Sequence, residues 1–414
     1  MIRAARLGAL LLAASALHAY SVLTHEAIID TAWDTGIKPL LLKRYPQATP
    51  EELLTAHAHA YAGCIIQDMG YYPFGSKFFS NLVHYVRTGD FIVNLFKEAQ
   101  TLDELAFAAG ALAHYAADTE GHSIAVNPSV GIEYPKLAGK FGKIVTYADD
   151  KISHVKVEFS FDVLQVARGS YAPQSYHDFI GFQVSKDLLE RAFRDTYSLE
   201  MKDVFGSLDL ALGTYRRSVS LLIPELTRVA WHLRKAELQK AIPTLTRRKF
   251  TYNLSKASYH KEWSRTYRSP GLGARILAFF LRILPKFGPL RALAFIPPAK
   301  QTVALFETSF NRTLDEYRIL LMAEVRGKLV LADRDFDTGK PTRPGEYRLA
   351  DDAYAKLAGK LADKDPAAID PTLLKNVLAF YSDMQKPFAT KKDPEEWRKL
   401  TAALDKLRSG APKD

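Results

Sequence analysis

The chain has 414 residues and a formal net charge of +10, from 56 Lys and Arg against 46 Asp and Glu. Hydrophobic residues make up 47% and charged residues 25%, a mix typical of a globular protein, which excludes an intrinsically disordered chain. The basic balance favours anionic partners such as phosphodiesters, nucleic acid or acidic lipid surfaces, without choosing among them.

The first 19 residues have the pattern of a secretory signal peptide. Two arginines precede a short run of Leu and Ala residues, and small residues follow where a signal peptidase would cut. The apolar run is too short to span a bilayer well. We expect residues 1–19 to be removed by cleavage after Ala19, with cleavage after Ala16 as the alternative. The mature chain then starts at Tyr20 and is secreted or periplasmic.

Helix signals run from residue 20 to about residue 240. The clearest is the capping box of Thr49 and Glu52, which has Pro50 at its first helical position. In chain order, the pattern predicts helices over 24–34, 50–68 and 78–87, a helix from the Thr101–Glu104 capping box past His114, and a helix from Thr146 to Arg168. Two amphipathic helices are predicted within 178–240. Loops are predicted at 70–75 and 123–143. No segment alternates convincingly with the period of two that strands show. We therefore expect an all-α, multi-helix domain over 20–240.

The rest of the chain is expected to be a mainly helical C-terminal region over 241–414. Its pattern predicts a helix over 302–326, a polar loop over 332–348 and small helices over 350–410. Its role and the oligomeric state are left open by the sequence. Residues 271–287 combine apolar residues with three basic ones. This pattern is typical either of a core-facing helix with solvated arginines or of a basic amphipathic helix that lies on a membrane surface.

The stretch from Ala111 to His122 holds the most informative motif. It places His114, Asp118 and His122 four residues apart, so that two imidazoles and a carboxylate lie on one face of a helix. Divalent transition metals, zinc among them, bind such nitrogen and oxygen ligands without needing a thiolate. One such pair is more often an ion pair on a helix surface, so the stretch alone is weak evidence for a metal.

Matching residues elsewhere strengthen the metal hypothesis. His154 and Glu158 form a second pair at a spacing of four, and His25, Asp68 and His84 lie on or next to predicted helices. Two helices that face each other with such pairs can close a site for several metals in a bundle core.

The neighbouring histidines and the cysteine lack this pattern. His57 and His59 are two residues apart and cannot share a helix face, so we expect surface or packing roles for them. Cys64 is the only cysteine, which excludes an intrachain disulfide, and it is expected to be a small buried residue.

Taken together, the motif residues resemble the zinc-dependent phospholipase C family and, more distantly, the S1/P1-type nucleases. The resemblance covers residues 20–165. The positions that carry it are Tyr20, His25, Asp68, His84, His114, Asp118, His122, His154 and Glu158. It implies a helical domain that holds a cluster of up to three zinc ions.

The resemblance also distributes these residues among the three zinc ions. It implies a first zinc on the α-amino group and carbonyl of Tyr20 with His25 and Asp118, a second on Asp68, His84 and His114 with Asp118 as a bridge, and a third on His122, His154 and Glu158. The ligand amine of Tyr20 would exist only after signal cleavage. Asp68 is the expected catalytic residue, which orients or deprotonates the attacking water.

The chain departs from the family pattern at several places. The mature start is Tyr20, where the family usually has Trp. The gap from Asp118 to His122 is shorter than usual and the gap from His122 to His154 is longer, which affects the third zinc site most. Leu23 lies near the place of the acid that helps to hold choline in the well-known phospholipases, so choline preference is not implied.

We expect a phospholipase C-type phosphodiesterase that hydrolyses phospholipid headgroup bonds with a metal-activated water. Membrane contact through 271–287 would suit this activity. The first alternative is an S1/P1-like nuclease or nucleotidase on the same metal site, but no basic groove with stacking aromatics is recognisable, so nucleic acid is the less favoured partner. The further alternative is a non-catalytic, metal-stabilised protein that binds a membrane or a partner. The aromatic loop at 71–74 predicts either a headgroup wall or a packed turn.

Overall fold

The computed structural model describes residues 22–168, 182–219 and 295–410. Within these ranges the chain is helical, and its only β-type pairing is an isolated bridge between Arg334 and Pro341. The all-α prediction is confirmed. None of the helices in these ranges is long and apolar enough to cross a bilayer.

The α-helices of the described ranges are numbered in chain order. They are α1 Val22–Ala32, α2 Lys38–Arg44, α3 Pro50–Gly63, α4 Lys77–Tyr85, α5 Thr88–Glu98, α6 Leu102–Gly121, α7 Asn127–Glu133, α8 Pro135–Phe141, α9 Lys151–Arg168, α10 Lys186–Tyr197, α11 Met201–Val204, α12 Leu208–Arg217, α13 Lys300–Val325, α14 Arg348–Ala362, α15 Pro371–Phe380 and α16 Pro394–Gly410.

Helix α6 lies at the centre of the described fold. Its residues from Leu105 to Thr119 are buried on every face, which is the signature of a helix surrounded by other elements. Helices α1, α3, α5 and α13 all pack against it. The hydroxyl of Tyr317 on α13 donates to the carbonyl of Ala109 on α6 at 2.8 Å. The C-terminal helix α13 therefore shares the core of the N-terminal helices.

Two glycines allow α3 and α6 to approach closely. A Cβ at Gly63 would overlap the carbonyl oxygen of Phe107, and a Cβ at Gly110 would overlap that of Ala60. Because neither helix carries a side chain at the crossing, their backbones touch. This contact sets the end of α3, and the turn that follows it, beside His114.

The first predicted helices form with two changes. The capping box of Thr49 and Glu52 is present in full. Helix α3, however, ends at Gly63, and Asp68 lies in a 3₁₀ turn over Ile66–Tyr71 rather than at the end of the helix. The Thr101 hydroxyl caps α6, but the Glu104 carboxylate accepts from Gln100 N–H instead of from the cap residue.

The prediction of a loop over 123–143 is wrong. This segment forms a π-helical turn over His122–Val126 followed by α7 and α8. Pro128 and Pro135 lie within the first two positions of these helices. A backbone N–H there has no partner within the helix, so a proline costs no hydrogen bond, and its fixed φ angle suits the helix. The next helix, α9, begins at Lys151 rather than near Thr146, since Asp150 accepts the N–H of Ser153 and acts as its cap.

The C-terminal predictions are largely confirmed. Helix α13 covers the predicted helix over 302–326, and α14 to α16 form the small helices over 350–410. Residues 326–347, called the 326–347 loop below, connect α13 to α14 without a helix. The signal peptide, the stretch 271–287 and the domain boundary near residue 240 lie outside the described residues and stay predictions.

Candidate metal centre

Asp118 lies at the centre of the site, near the carboxyl end of α6. Its Oδ1 is 3.4 Å from Nε2 of His25 on α1, and its Oδ2 is 3.1 Å from Nε2 of His114, one turn earlier on α6. The same Oδ2 is 3.6 Å from Nε2 of His84 on α4. Because its two oxygens face different imidazoles, this single carboxylate has the geometry to bridge two cations.

A second group consists of Asp68, His84 and His114. Asp68 Oδ1 is 3.3 Å from His84 Nε2. Nδ1 of His84 lies 2.8 Å from the carbonyl of Ser80, and Nδ1 of His114 lies 2.9 Å from the carbonyl of Cys64. Since a carbonyl only accepts, each Nδ1 donates, and each Nε2 is aimed at the carboxylates, as in a metal-ligating histidine.

A third group consists of His122, His154 and Glu158. Glu158 Oε1 is 3.0 Å from Nδ1 of His154, one turn earlier on α9, and 3.3 Å from Nε2 of His122. His122 follows the last residue of α6, where the π-helical turn begins. The three ligand atoms thus come from α9 and the end of α6.

The chemistry of these groups fits a bound cation. In each group the ligand atoms lie within 4.8 Å of one another, and every one of these side chains is buried. Several of the atoms make no hydrogen bond: Asp68 Oδ1, both oxygens of Asp118, both oxygens of Glu158, Nε2 of His114 and Nδ1 of His154. Burying carboxylate oxygens and imidazole nitrogens in this way is costly unless a cation satisfies them. Zinc binds this set of nitrogen and oxygen ligands.

The same packing shifts the pKa values of the metal-free site. Burial raises the pKa of Asp68 to about 6, against the opposing effect of His114 and His84. Burial alone would lower the pKa of His84, but the neighbouring carboxylates of Asp118 and Asp68 outweigh it and raise that pKa to about 10. Burial opposes ionisation of Asp118, yet His114 and His122 hold its pKa well below the usual range. Without metal, a proton on His84 supplies positive charge beside Asp68 and Asp118.

Comparison with known families identifies this region. Residues 24–207 match the family model described as zinc dependent phospholipase C. This part of the chain is similar to the zinc-dependent phospholipase C family. Comparisons with curated proteins and with solved structures give no significant match. The resemblance inferred from the sequence is confirmed, and dependence on zinc follows from the family.

The matched segment brings together every predicted ligand that the structure describes. His25 joins His114 and Asp118, while the other two groups contain the remaining predicted positions. Tyr20 lies outside the described residues and precedes the matched segment. That these residues are zinc ligands, and that the ions number three, remain predictions.

Sequence reasoning missed Asp337, which lies in the 326–347 loop and beyond the matched segment. Its Oδ1 is 3.3 Å from Nδ1 of His122, on the side of the ring opposite Glu158. Burial opposes ionisation of Asp337, but its contact with His122 lowers its pKa to about 2. No spacing signal could have found this residue, because it lies in a polar segment of turn-forming residues that holds no histidine.

Two tyrosines connect the second and third groups. The ring of Tyr71 lies 6.0 Å from that of His84, and the ring of Tyr147 lies 5.5 Å from that of His154. The two tyrosine rings are 6.2 Å apart. Of the aromatic loop at 71–74, Tyr71 is therefore close to the candidate metal centre, whereas Phe74 is 64% exposed.

The remaining described histidines have packing roles, as expected. His57 is buried, stacks on Trp33 with ring centroids 3.8 Å apart, and lies 3.2 Å from Asp30. His59 Nδ1 is 2.8 Å from the hydroxyl of Ser185. Cys64 is buried, as predicted, and its carbonyl orients His114.

Proposed function

We propose that the chain is a secreted or periplasmic zinc-dependent phosphodiesterase of the phospholipase C type, which hydrolyses the headgroup phosphodiester bond of a phospholipid. The observation that carries this proposal is the arrangement of three histidine and carboxylate groups around the end of α6, within a segment that is similar to the zinc-dependent phospholipase C family. Completely buried ligand sets at these distances argue against a scaffold that has lost its metals.

The proposed centre holds three zinc ions. The first would take the α-amino group and carbonyl of Tyr20 with His25 and Asp118, and the second Asp68, His84 and His114. Asp118 would bridge them, which the contacts of its two oxygens with different histidines support. The third would take His122, His154 and Glu158, whose ligand atoms converge in the same way.

Bound zinc supplies Lewis acidity, which activates a water molecule for attack on phosphorus and offsets the charge that develops on the phosphoryl oxygens. The chain's own contribution is to move a proton and to hold the ligands. Asp68 is the proposed acceptor of the proton from the attacking water, because its buried carboxylate lies within the second ligand group, 3.3 Å from Nε2 of His84. Ser80 and Cys64 keep their histidines in one tautomer through backbone carbonyls.

Cations close to the centre suit an anionic substrate. Nζ of Lys151 lies 5.1 Å from the ring centroid of Tyr147, which itself contacts His154. Desolvation lowers the pKa of Lys151, and the nearby positive charges of Lys77 and Arg348 lower it further. We assign to Lys151 the attraction of the substrate phosphate. Contact with the membrane surface is assigned to the stretch 271–287.

The N-terminus of the mature chain is part of the proposal. Removal of residues 1–19 would free the amine of Tyr20 as a ligand. Asp162 on α9 supports this assignment, since its carboxylate accepts the backbone N–H groups of Leu23 and Thr24 at 3.0 and 3.1 Å. These hydrogen bonds hold the chain a few residues after Tyr20 and directly before His25.

The deciding experiment combines metal analysis with a substrate panel. The secreted, mature protein is N-terminally sequenced, its zinc content is measured by elemental analysis, and it is incubated with phospholipid vesicles, single-stranded DNA and RNA. We expect Tyr20 as the first residue, three zinc ions per chain, and release of a phosphorylated headgroup with diacylglycerol left in the vesicle. The matched control is Asp118→Asn, which should abolish release.

Other outcomes reject parts of the proposal. Cleavage of nucleic acid without headgroup release would replace the phospholipase with a nuclease on the same centre. A folded, zinc-loaded protein that hydrolyses neither substrate would indicate a metal-stabilised binding protein. A chain that retains Ala19 provides a further test, since its extra peptide bond removes the amine. This extended chain should bind one zinc ion fewer, and an unchanged stoichiometry would contradict the role of Tyr20.

A further inference from the structure

The 326–347 loop reaches the candidate metal centre from the C-terminal half of the chain. The backbone N–H of Phe336 donates to the carbonyl of His84 at 3.1 Å, and its ring lies 5.3 Å from the ring of His84 and 6.0 Å from that of His114. The next residue, Asp337, contacts His122. Neither residue belongs to the segment matched by the family, which ends at residue 207.

Asp337 is held in place by contacts on every side. Its Oδ2 accepts from the hydroxyl of Tyr85 at 2.8 Å and from the hydroxyl of Tyr347. Its N–H donates to Oδ1 of Asp335 at 2.9 Å, and only 3% of the residue is exposed. This leaves Oδ1 of Asp337 facing Nδ1 of His122 at 3.3 Å. The carboxylate is therefore held in one orientation, in which its Oδ1 contacts His122.

The backbone of Asp337 reaches the other histidine of the third group through Asn127. The side-chain Nδ2 of Asn127 donates to the carbonyl of Asp337 at 2.6 Å. Because a carbonyl only accepts, this contact fixes the orientation of the amide and turns Oδ1 of Asn127 toward Nε2 of His154, which lies 3.0 Å away. Oδ1 is an acceptor, so His154 Nε2 donates to it.

With zinc bound, these contacts favour one tautomer of each ring. A proton on Nδ1 of His122 faces Asp337, and a proton on Nε2 of His154 faces Asn127. The opposite nitrogens, Nε2 of His122 and Nδ1 of His154, both face Oε1 of Glu158. In neutral imidazoles these nitrogens carry the lone pairs, which is the state that binds a metal.

We propose that Asp337 is the positioning residue of the third metal site, acting on His122 through its carboxylate and on His154 through its carbonyl and Asn127. The inference rests on the proposed metal centre. It gives the C-terminal region a defined part in that centre: the third site is complete only when the 326–347 loop is folded against α4, α6 and α7.

The loop is anchored independently of Asp337, which makes the proposal testable. Oδ1 of Asp333 accepts the N–H of Gly89 at 3.0 Å, and the hydroxyl of Thr88 donates to the carbonyl of Arg334 at 2.9 Å. The hydroxyl of Tyr115 donates to the carbonyl of Ala332 at 2.9 Å. A substitution at Asp333 thus disturbs the anchoring of the loop without removing a group that contacts a histidine.

The test compares Asp337→Asn with Asp333→Asn in the full mature chain. Zinc affinity is measured by competition with a chelator, and the ring nitrogens of the histidines in the zinc-loaded proteins are observed by ¹⁵N NMR. Asp337→Asn should weaken the third zinc by about 10- to 100-fold, the usual effect of removing such an orienting carboxylate, and leave two zinc ions tightly bound. It should also change the Nδ1 signal of His122. Asp333→Asn should change neither.

Four results would overturn the inference. These are an unchanged third affinity in Asp337→Asn, an unchanged affinity in Asn127→Ala, an equal loss in Asp333→Asn, and an unchanged Nδ1 signal of His122 in Asp337→Asn. If the unsubstituted protein binds no zinc, the proposed metal centre itself is rejected, whatever the substitution at Asp337 does. If it binds three zinc ions and Asp337→Asn binds them equally well, the centre stands and only the role of Asp337 fails.

Discussion

Asp162 holds Thr24 through both its backbone N–H and its hydroxyl, although the two residues are 138 positions apart in the chain. The distances from Oδ1 are 3.1 and 3.0 Å, and both residues are completely buried. The carboxylate lies at the start of α1, where free N–H groups and the helix dipole favour a negative charge. Asp162 is one turn beyond Glu158 on α9, so a single helix supplies both a candidate metal ligand and the anchor of the N-terminal segment.

Replacing Asp162 with Asn should destabilise the protein and weaken metal binding at His25. The amide has one oxygen where the carboxylate uses two, so at least one buried donor among Leu23 and Thr24 loses its partner. The expected cost is about 1–3 kcal/mol of unfolding free energy, measured by denaturant titration. Zinc analysis should show a loss confined to one ion.

Asp149→Asn is the matched control for this prediction. Asp149 also accepts from a backbone N–H and a hydroxyl, both of Thr146, but it is exposed. Water can replace these hydrogen bonds, so the substitution should change the unfolding free energy little. Equal destabilisation by the two variants would contradict the assigned importance of the buried anchor.

Asp118→Asn and Glu158→Gln should differ in the number of zinc ions that they lose. Asp118 contacts histidines of two groups, so its loss should remove or weaken two zinc ions. Glu158 serves only the third group, so its loss should remove one. Elemental analysis distinguishes these results. Hydrolysis by Asp118→Asn should fall by at least about 100-fold, since losing the electrostatic effect of a metal costs several kcal/mol of transition-state stabilisation. Loss of a single zinc ion from Asp118→Asn would show that the carboxylate does not bridge.

The metal-free protein should lose stability as pH rises above neutrality. The pKa of His84 is raised to about 10 by its carboxylate partners despite burial, whereas an unfolded histidine titrates near 6.5. The stability from this shift is fully present below about pH 6.5 and is lost as pH rises toward 10, because the folded state binds more protons than the unfolded state in this window. Unfolding free energies of chelated protein at several pH values test this. His84→Gln should flatten the slope, and an unchanged slope would rule out His84 as its source.

Local sequence signals were sufficient for most of the helices and for the site residues they carry. Thr49 and Glu52 form their capping box because its partners lie within one turn. The pairs His114 with Asp118 and His154 with Glu158 are in contact because a spacing of four places them on one helix face. Their convergence was predicted from the resemblance to the phospholipase C family, since spacing alone does not determine which helices face each other.

Local sequence signals did not predict helices α7 and α8 or the position of Asp337, because these features depend on tertiary packing. Prolines in 123–143 favoured a loop, yet the same residues start helices when their neighbours can pack against the core. Asp337 is 210 residues from Asn127, and its surroundings in the sequence resemble a solvated turn. The packing of α13 on α6 and the hydrogen bonds of the 326–347 loop to Thr88, Gly89 and Tyr115 bring it to the metal centre.

Lys151→Gln should weaken substrate binding more than turnover. Lys151 lies over the ring of Tyr147 beside the third group, and the nearby cations Lys77 and Arg348 add to the attraction of a phosphate. Such a solvent-accessible charge interaction is worth up to about 1 kcal/mol, so KM for an anionic phosphodiester should rise by about two- to fivefold while kcat changes little. The effect should shrink at high salt, because ions screen it. Lys140→Gln is the control: Lys140 also lies over an aromatic ring, that of Phe141, and its replacement changes the net charge equally. If both variants raise KM alike, the net charge rather than the position of Lys151 attracts the substrate.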